Sequence, residues 1–147
     1  MERVIAAAPE AIFALLADPH RHPEIDGSGT VLQVKASDSP LKLGSTFEMA
    51  MKRGAPYVMR NTVVAYEPDR TIAWQPRPTL ALLRLAIGGR IWRYDLTPVE
   101  GGTNVRETWD IRHERLPAVV IRDAGTATRS MTKTLERIEQ LLAKAGN

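Results

Sequence analysis

The sequence predicts an α+β fold in which a meander of antiparallel strands is covered by one long amphipathic helix. Three observations predict it. Short stretches from residue 30 onward alternate apolar and polar residues, and turn-forming Gly, Pro and Asp clusters separate them. The stretch from Pro117 to Ala145 instead carries Val120, Ala124, Ala127, Met131, Leu135, Ile138 and Leu142 at steps of three and four, which is one helix face. A sheet with one apolar face must bury it, and this helix is the element able to cover it.

Taken in order, "MERVIAA" opens as a strand. "APEAIFALLADP" then reads as a helix with Pro9 in its first turn. Ile12, Phe13, Leu15 and Leu16 form its apolar stripe, and Asp18-Pro19 stops it. "HRHPEID" fits one further helical turn, and "DGSG" a tight exit in which Asp26 accepts local backbone N–H bonds. "TVLQVKAS", "TFEMAMK", "YVMRNTVVAYE" and "TIAWQ" follow as strands, separated by "DSPLKLGS", "RGAP" and "PDR". "RIWRYDLTPV" and "TNVRETWDI" flank "EGG" as a hairpin. The order is one strand, one or two short helices, six strands and a long helix, read as a single domain over residues 1–147.

Composition narrows the function classes. The chain has 147 residues, 44% of them hydrophobic and 25% charged, which is ordinary for a soluble globular domain. No apolar run reaches the ~18 residues of a membrane span, and no signal peptide is visible, so a cytoplasmic location is expected. The absence of cysteine excludes disulfides, thiol nucleophiles and thiolate metal sites. The net charge of +3 is scattered along the chain, so no nucleic-acid partner is expected. His20, His22, Asp26 and His113 carry zinc-ligating atoms, but their spacing supplies no convincing ligand set; no metal or cofactor is expected. Neither a Gly-x-Ser-x-Gly elbow nor a Gly-rich phosphate loop is present.

The segments "IAAAPEAIFALLADPHRHPEIDGSG", "YEPDRTIAWQ" and "YDLTPVEGGTNVRETWD", with the closing helix, resemble the SRPBCC superfamily of START, Bet v 1-like and polyketide cyclase/dehydrase-like proteins. The resemblance covers nearly the whole chain. It implies a helix-grip (Bet v 1-like) fold, a curved antiparallel sheet of about seven strands wrapped around the C-terminal helix. It also implies a ligand cavity between sheet and helix.

Strand alternation nominates the cavity wall. Successive turns of a meander fall at alternating ends, so residues 26–29, "KRGAP", residues 76–89 and "RHERLP" share one end, the expected mouth. The segment "PRPTLALLRLAIGG" is long and apolar for a hairpin connection, which suits a lid, a cavity wall, a partner contact or an extra helix packed on the core. Phe47, Met49 and Met51 share a face, as do Trp92 and Tyr94, and Trp74 lies on the short strand between them. Both faces of residues 57–66 are mixed; Tyr57, Met59 and Asn61 are assigned inward. On the helix, Ala124, Gly125, Ala127 and Thr128 are expected to face a pocket of roughly 300–1,000 Å³, with Met131 beyond them. His22, Asp26, Leu82, Leu83, Leu85 and His113 are assigned to its rim.

Glu107 is the most chemically pointed residue. It alternates in phase with Val105, Trp109 and Ile111, which places a carboxyl among hydrophobes. It is either a proton donor or hydrogen-bonding anchor, or half of a buried pair with Arg93 or Arg60. Glu107 and Tyr94 are therefore the catalytic candidates. The expected function is binding of a hydrophobic or amphipathic small molecule (lipid, polyketide, isoprenoid or aromatic metabolite) by a monomer or homodimer. The alternatives are a polyketide cyclase/aromatase-like enzyme, and a quinone-chaperone or ribosome-associated partner-binding module.

Overall fold

The computed structural model describes residues 1–84 and 87–145. The chain runs β1 (Glu2–Ile5), α1 (Pro9–Leu16), a 3₁₀ turn (Pro19–Arg21), α2 (His22–Ile25), β2 (Val31–Ser37), β3 (Thr46–Arg53), β4 (Ala55–Glu67) and β5 (Thr71–Pro78). It continues through α3 (Ala81–Arg84), β6 (Ile91–Val99), β7 (Gly102–Asp110), α4 (Pro117–Val120), a 3₁₀ turn (Ile121–Asp123) and α5 (Ala124–Ala145). The seven strands form one sheet in the order β1-β7-β6-β5-β4-β3-β2, every neighbour antiparallel. Register shifts in β2 and between Val63 and Ala65 bend the sheet, as bulges do.

Strand alternation carries through to burial. Phe47 and Met49 of β3, Met59, Asn61 and Val63 of β4, and Tyr94 and Leu96 of β6 are all buried on the inner face. The core lies where that face meets α1 and the C-terminal half of α5, with Ile12, Phe13, Leu16, Ile72, Val105, Leu135 and Ile138 in one cluster. Among the described residues no helix is long and apolar enough to cross a membrane.

Two elements differ from their sequence expectations. The final helix is interrupted by the 3₁₀ turn before α5 begins. β5 extends beyond "TIAWQ" to Pro78, despite prolines at 76 and 78. The pairing explains how. β5 pairs with β6 only from Thr71 to Trp74, whereas it pairs with β4 as far as Pro78. Proline has no N–H for a second ladder, and it is tolerated where a strand has lost one neighbour. Side chains replace the missing rungs: Gln75 Nε2 donates to the Gly89 carbonyl at 3.2 Å, and Arg77 Nε to that of Gly88 at 3.3 Å. The sheet therefore parts between β5 and β6 at the predicted mouth end.

The stretch from Asp26 to Gly29 locks the α2–β2 connection to α5. The Asp26 carboxylate accepts from the N–H groups of Ser28, Thr30 and Val31, each at 2.9 Å. Gly27 donates its N–H to Thr134 Oγ1 at 3.0 Å. A Cβ on Gly27 would stand 2.1 Å from the Ser130 carbonyl oxygen, so only glycine admits this approach. Gly27→Ala is expected to destabilise the fold by about 1–3 kcal/mol, read as a lower urea midpoint with an unchanged slope.

Candidate functional site

Between the inner face of β3–β7 and the α4–α5 segment lies a cavity of about 490 Å³. Phe47, Met49 and Met51 of β3 line it, as do Tyr57, Met59 and Asn61 of β4. Trp74 of β5, Trp92 and Tyr94 of β6, and Glu107 and Trp109 of β7 line it from the same sheet face. The rings are ordered against one another. His22 stacks on Trp74 at 5.0 Å between centroids, Trp74 on Tyr94 at 5.4 Å, and Trp92 on Trp109 at 6.1 Å. Such contacts hold a wall of flat apolar faces in fixed orientation.

The helix side departs from the predicted phase. Ala127 lines the cavity together with Thr126, Ser130 and Thr134, and Val119 and Val120 of α4 close its upper wall. Ala124, Thr128 and Met131 are not part of the lining, and Gly125 is exposed. Hydroxyl-bearing residues fill the inward stripe, and an apolar count passes over them. The consequence for space is the one expected of small side chains: α5 does not reach the sheet there.

Glu107 sits within the wall, only 3% exposed. Neither arginine reaches it, because Arg93 pairs with Asp95 and Arg60 with Glu48. Its partner is Tyr94, whose hydroxyl donates to Oε1 at 2.7 Å. Burial, only partly offset by that bond, pushes the Glu107 carboxyl up to about 8. Burial and the neighbouring carboxyl also hold the Tyr94 phenol well above its ordinary range, which keeps it a donor. Glu107 Oε2 and Trp109 Nε1 are buried without a hydrogen-bond partner among the described residues. An unpaired buried polar atom costs about 1–3 kcal/mol, so both atoms gain from any group that reaches them. A carboxyl that keeps its proton at neutral pH can donate a hydrogen bond or a proton to an oxygen in the cavity.

His22 was assigned to the rim, yet it is buried in the wall. Its Nε2–H donates to the Leu16 carbonyl at 2.9 Å, and burial lowers its pKa, so the ring is neutral. Asp26 lines the opening, with its carboxylate held by the turn. Leu82, Leu83 and His113 are exposed and outside the lining, and Leu85 lies outside the described residues. α3 buries none of its residues, so it is not a helix packed on the core; among the described residues of the 76–89 segment, Pro76 and Ile87 line the wall.

Glu114 and Arg53 do structural work at the mouth that sequence reasoning missed. The buried Glu114 carboxylate accepts from the N–H groups of Gly88 and Arg90, each at 3.1 Å, and from Arg90 Nε at 3.0 Å. Gly89 backs onto the His113 carbonyl so closely that a Cβ would overlap it at 1.8 Å. The paired glycines "GG" were the available signal. Across the opening, Arg53 Nη1 meets Asp123 Oδ2 at 3.4 Å, joining the β3–β4 hairpin to the segment before α5.

Residues 1–143 match the family described as polyketide cyclase / dehydrase and lipid transport. The chain belongs to that family. It is thereby an SRPBCC protein, with the helix-grip architecture just described. An uncharacterised protein of Mycobacterium tuberculosis strain H37Rv is 37% identical over 110 residues, covering 73% of the chain and 45% of that relative. The chain thus spans about half the length of the curated relatives it matches. A crystal structure from Mesorhizobium loti is similar at a TM-score of 0.72 and 24% identity, covering 98% of this chain and 95% of that one. The di-domain ARO/CYC StfQ from the steffimycin biosynthetic pathway is similar at a TM-score of 0.71 and 15% identity, covering 100% of this chain and 51% of StfQ. At these identities the two structures establish the family fold.

The Glu107 carboxyl makes a testable pH dependence in this family member. Below about pH 4.5 it is protonated folded or unfolded; between there and about pH 8 only the folded state keeps the proton. Stability from this group is therefore present at low pH and lost as pH rises through that window. Glu107→Gln is expected to remove the slope, gaining on the order of 3–5 kcal/mol relative to the wild type by pH 8. Urea melts of both proteins at pH 5 and pH 8 check it; parallel behaviour would show the carboxyl to be ionised and solvated.

Proposed function

We propose that this chain binds a hydrophobic or amphipathic small molecule of the lipid, polyketide, isoprenoid or aromatic-metabolite classes. One observation carries the proposal: a 490 Å³ cavity walled by tryptophans and methionines that also contains an uncharged-capable carboxyl with an unpartnered oxygen. Its volume falls within the roughly 300–1,000 Å³ common for small-molecule sites. Trp74, Trp92 and Trp109 offer flat contact, while Met49, Met51 and Met59 adapt to an irregular outline. Phe47, Tyr57, Asn61 and Ala127 complete the contact set. Glu107, held by Tyr94, receives the polar end of the ligand.

An enzymatic reading draws on the same carboxyl. A protonated Glu107 beside a cavity-lining tyrosine suits proton transfer to a carbonyl-bearing chain folded within the cavity, as in a cyclase or aromatase. Within the family description and in the name of StfQ, both activities and transport are represented. A binder and a catalyst differ in turnover, so a ligand recovered chemically unchanged favours the first.

Native mass spectrometry of freshly purified protein is expected to show a co-purifying mass that denaturation releases. Ala127→Leu, which narrows the cavity from the helix side, is expected to reduce that mass, while the two proteins stripped of ligand melt alike. Glu107→Gln is expected to shift affinity for a polar-tipped ligand by about 1–3 kcal/mol, measured by calorimetry with the recovered compound. Full retention of the ligand by Ala127→Leu would place binding elsewhere.

A further inference from the structure

Among the described residues, six of the twelve exposed large apolar side chains stand on two short segments at the cavity mouth: Leu80, Leu82 and Leu83, and Leu116, Val119 and Ile121. Leu82 is 79% exposed. None of these side chains is needed for the core. The two segments are one surface feature, because the Glu114 carboxylate binds the N–H groups of Gly88 and Arg90 and the Gly89 backbone lies against His113. Both border the same opening, through Ile87 on one side and Val119 on the other.

Arginines accompany the apolar residues. Arg77, Arg84, Arg115 and Arg122 lie on these segments, all exposed, and among the described residues none pairs with a carboxylate. The acidic residues there are already engaged, Glu114 by Arg90 and Asp123 by Arg53. These two segments thus present an apolar surface edged by uncompensated positive charge.

We propose that this mouth face docks on an anionic lipid bilayer. Leucine, valine and isoleucine side chains gain by leaving water for the acyl boundary, and arginines around them meet headgroup phosphates. Charge complementarity selects this occupant. A second copy placed symmetrically on the same face would set arginines against arginines, which the like charges oppose. Docking in this way turns the opening toward the membrane. The inference concerns the outer surface and holds whatever the cavity contains.

Co-sedimentation with vesicles tests it. The wild type is expected to pellet with phosphatidylcholine vesicles containing phosphatidylglycerol, to stay in solution with phosphatidylcholine alone, and to be released at high salt. Arg115→Ser with Arg122→Ser is expected to weaken partitioning about thirtyfold, and Leu82→Asp with Leu83→Asp at least about tenfold, both without a change in melting temperature. Leu43→Asp, at an exposed leucine on the turn at the opposite end, is expected to leave binding unchanged. Failure to pellet with the anionic vesicles would overturn the proposal. So would equal loss with Leu43→Asp, or a dimer in sedimentation equilibrium that Leu82→Asp dissolves without any vesicle binding.

Discussion

The cavity depends on how far α5 can approach the sheet, and that distance is set at two places. At one, Leu135 and Ile138 are buried in the core cluster, and Arg3 of β1 reaches Glu139 at 2.6 Å. At the other, the Gly27 backbone lies directly on the Ser130–Thr134 turn of the helix. With its axis fixed there, the N-terminal half can fill the gap to the sheet only with its own side chains. Ala127, Ser130 and Thr134 are too short to do so. Protein interiors are otherwise packed to crystal density, so a void of this size persists only because rigid supports on both sides prevent collapse.

Glu107 follows from the same geometry. Strand alternation commits it to the inner face as firmly as it commits Val105, and Arg93 on the neighbouring strand pairs with Asp95 instead. Arg106 beside it in sequence and Arg93 on the neighbouring strand point to the other face, where they find Glu2 and Asp95. A charged carboxylate in that position would be unpaired in an apolar wall, and the proton is what the site keeps instead. The chemistry available to the cavity therefore comes from a strand register and not from a recognisable motif.

Much of this was legible in the sequence, for identifiable reasons. Period-two alternation places Phe47, Met49, Trp92, Tyr94 and Glu107 on the inner face because the pleat leaves no other choice. The mouth end follows from turn parity alone. The phase of α5 was harder, because its inward stripe over Thr126, Ala127, Ser130 and Thr134 is made of small and hydroxyl-bearing residues, whereas the louder apolar stripe runs through Ala124, Met131 and Leu135. His22 was misplaced because its inward turn depends on a hydrogen bond to Leu16, six residues away on a different helix. Nothing within "RHERLP" marks Glu114 for burial; the approach of residues 88–90, far off in sequence, buries it.

Parting β5 from β6 leaves a length of strand without a neighbour on one side, and such an edge invites another chain to add a strand. Pro76 and Pro78 occupy that length. Neither has an N–H to offer, and the carbonyls of Gly88 and Gly89 opposite are taken by Arg77 and Gln75. The residues that open the sheet thus also make its open edge a poor template, so the molecule can hold a gap in its own ladder without becoming prone to edge-to-edge aggregation.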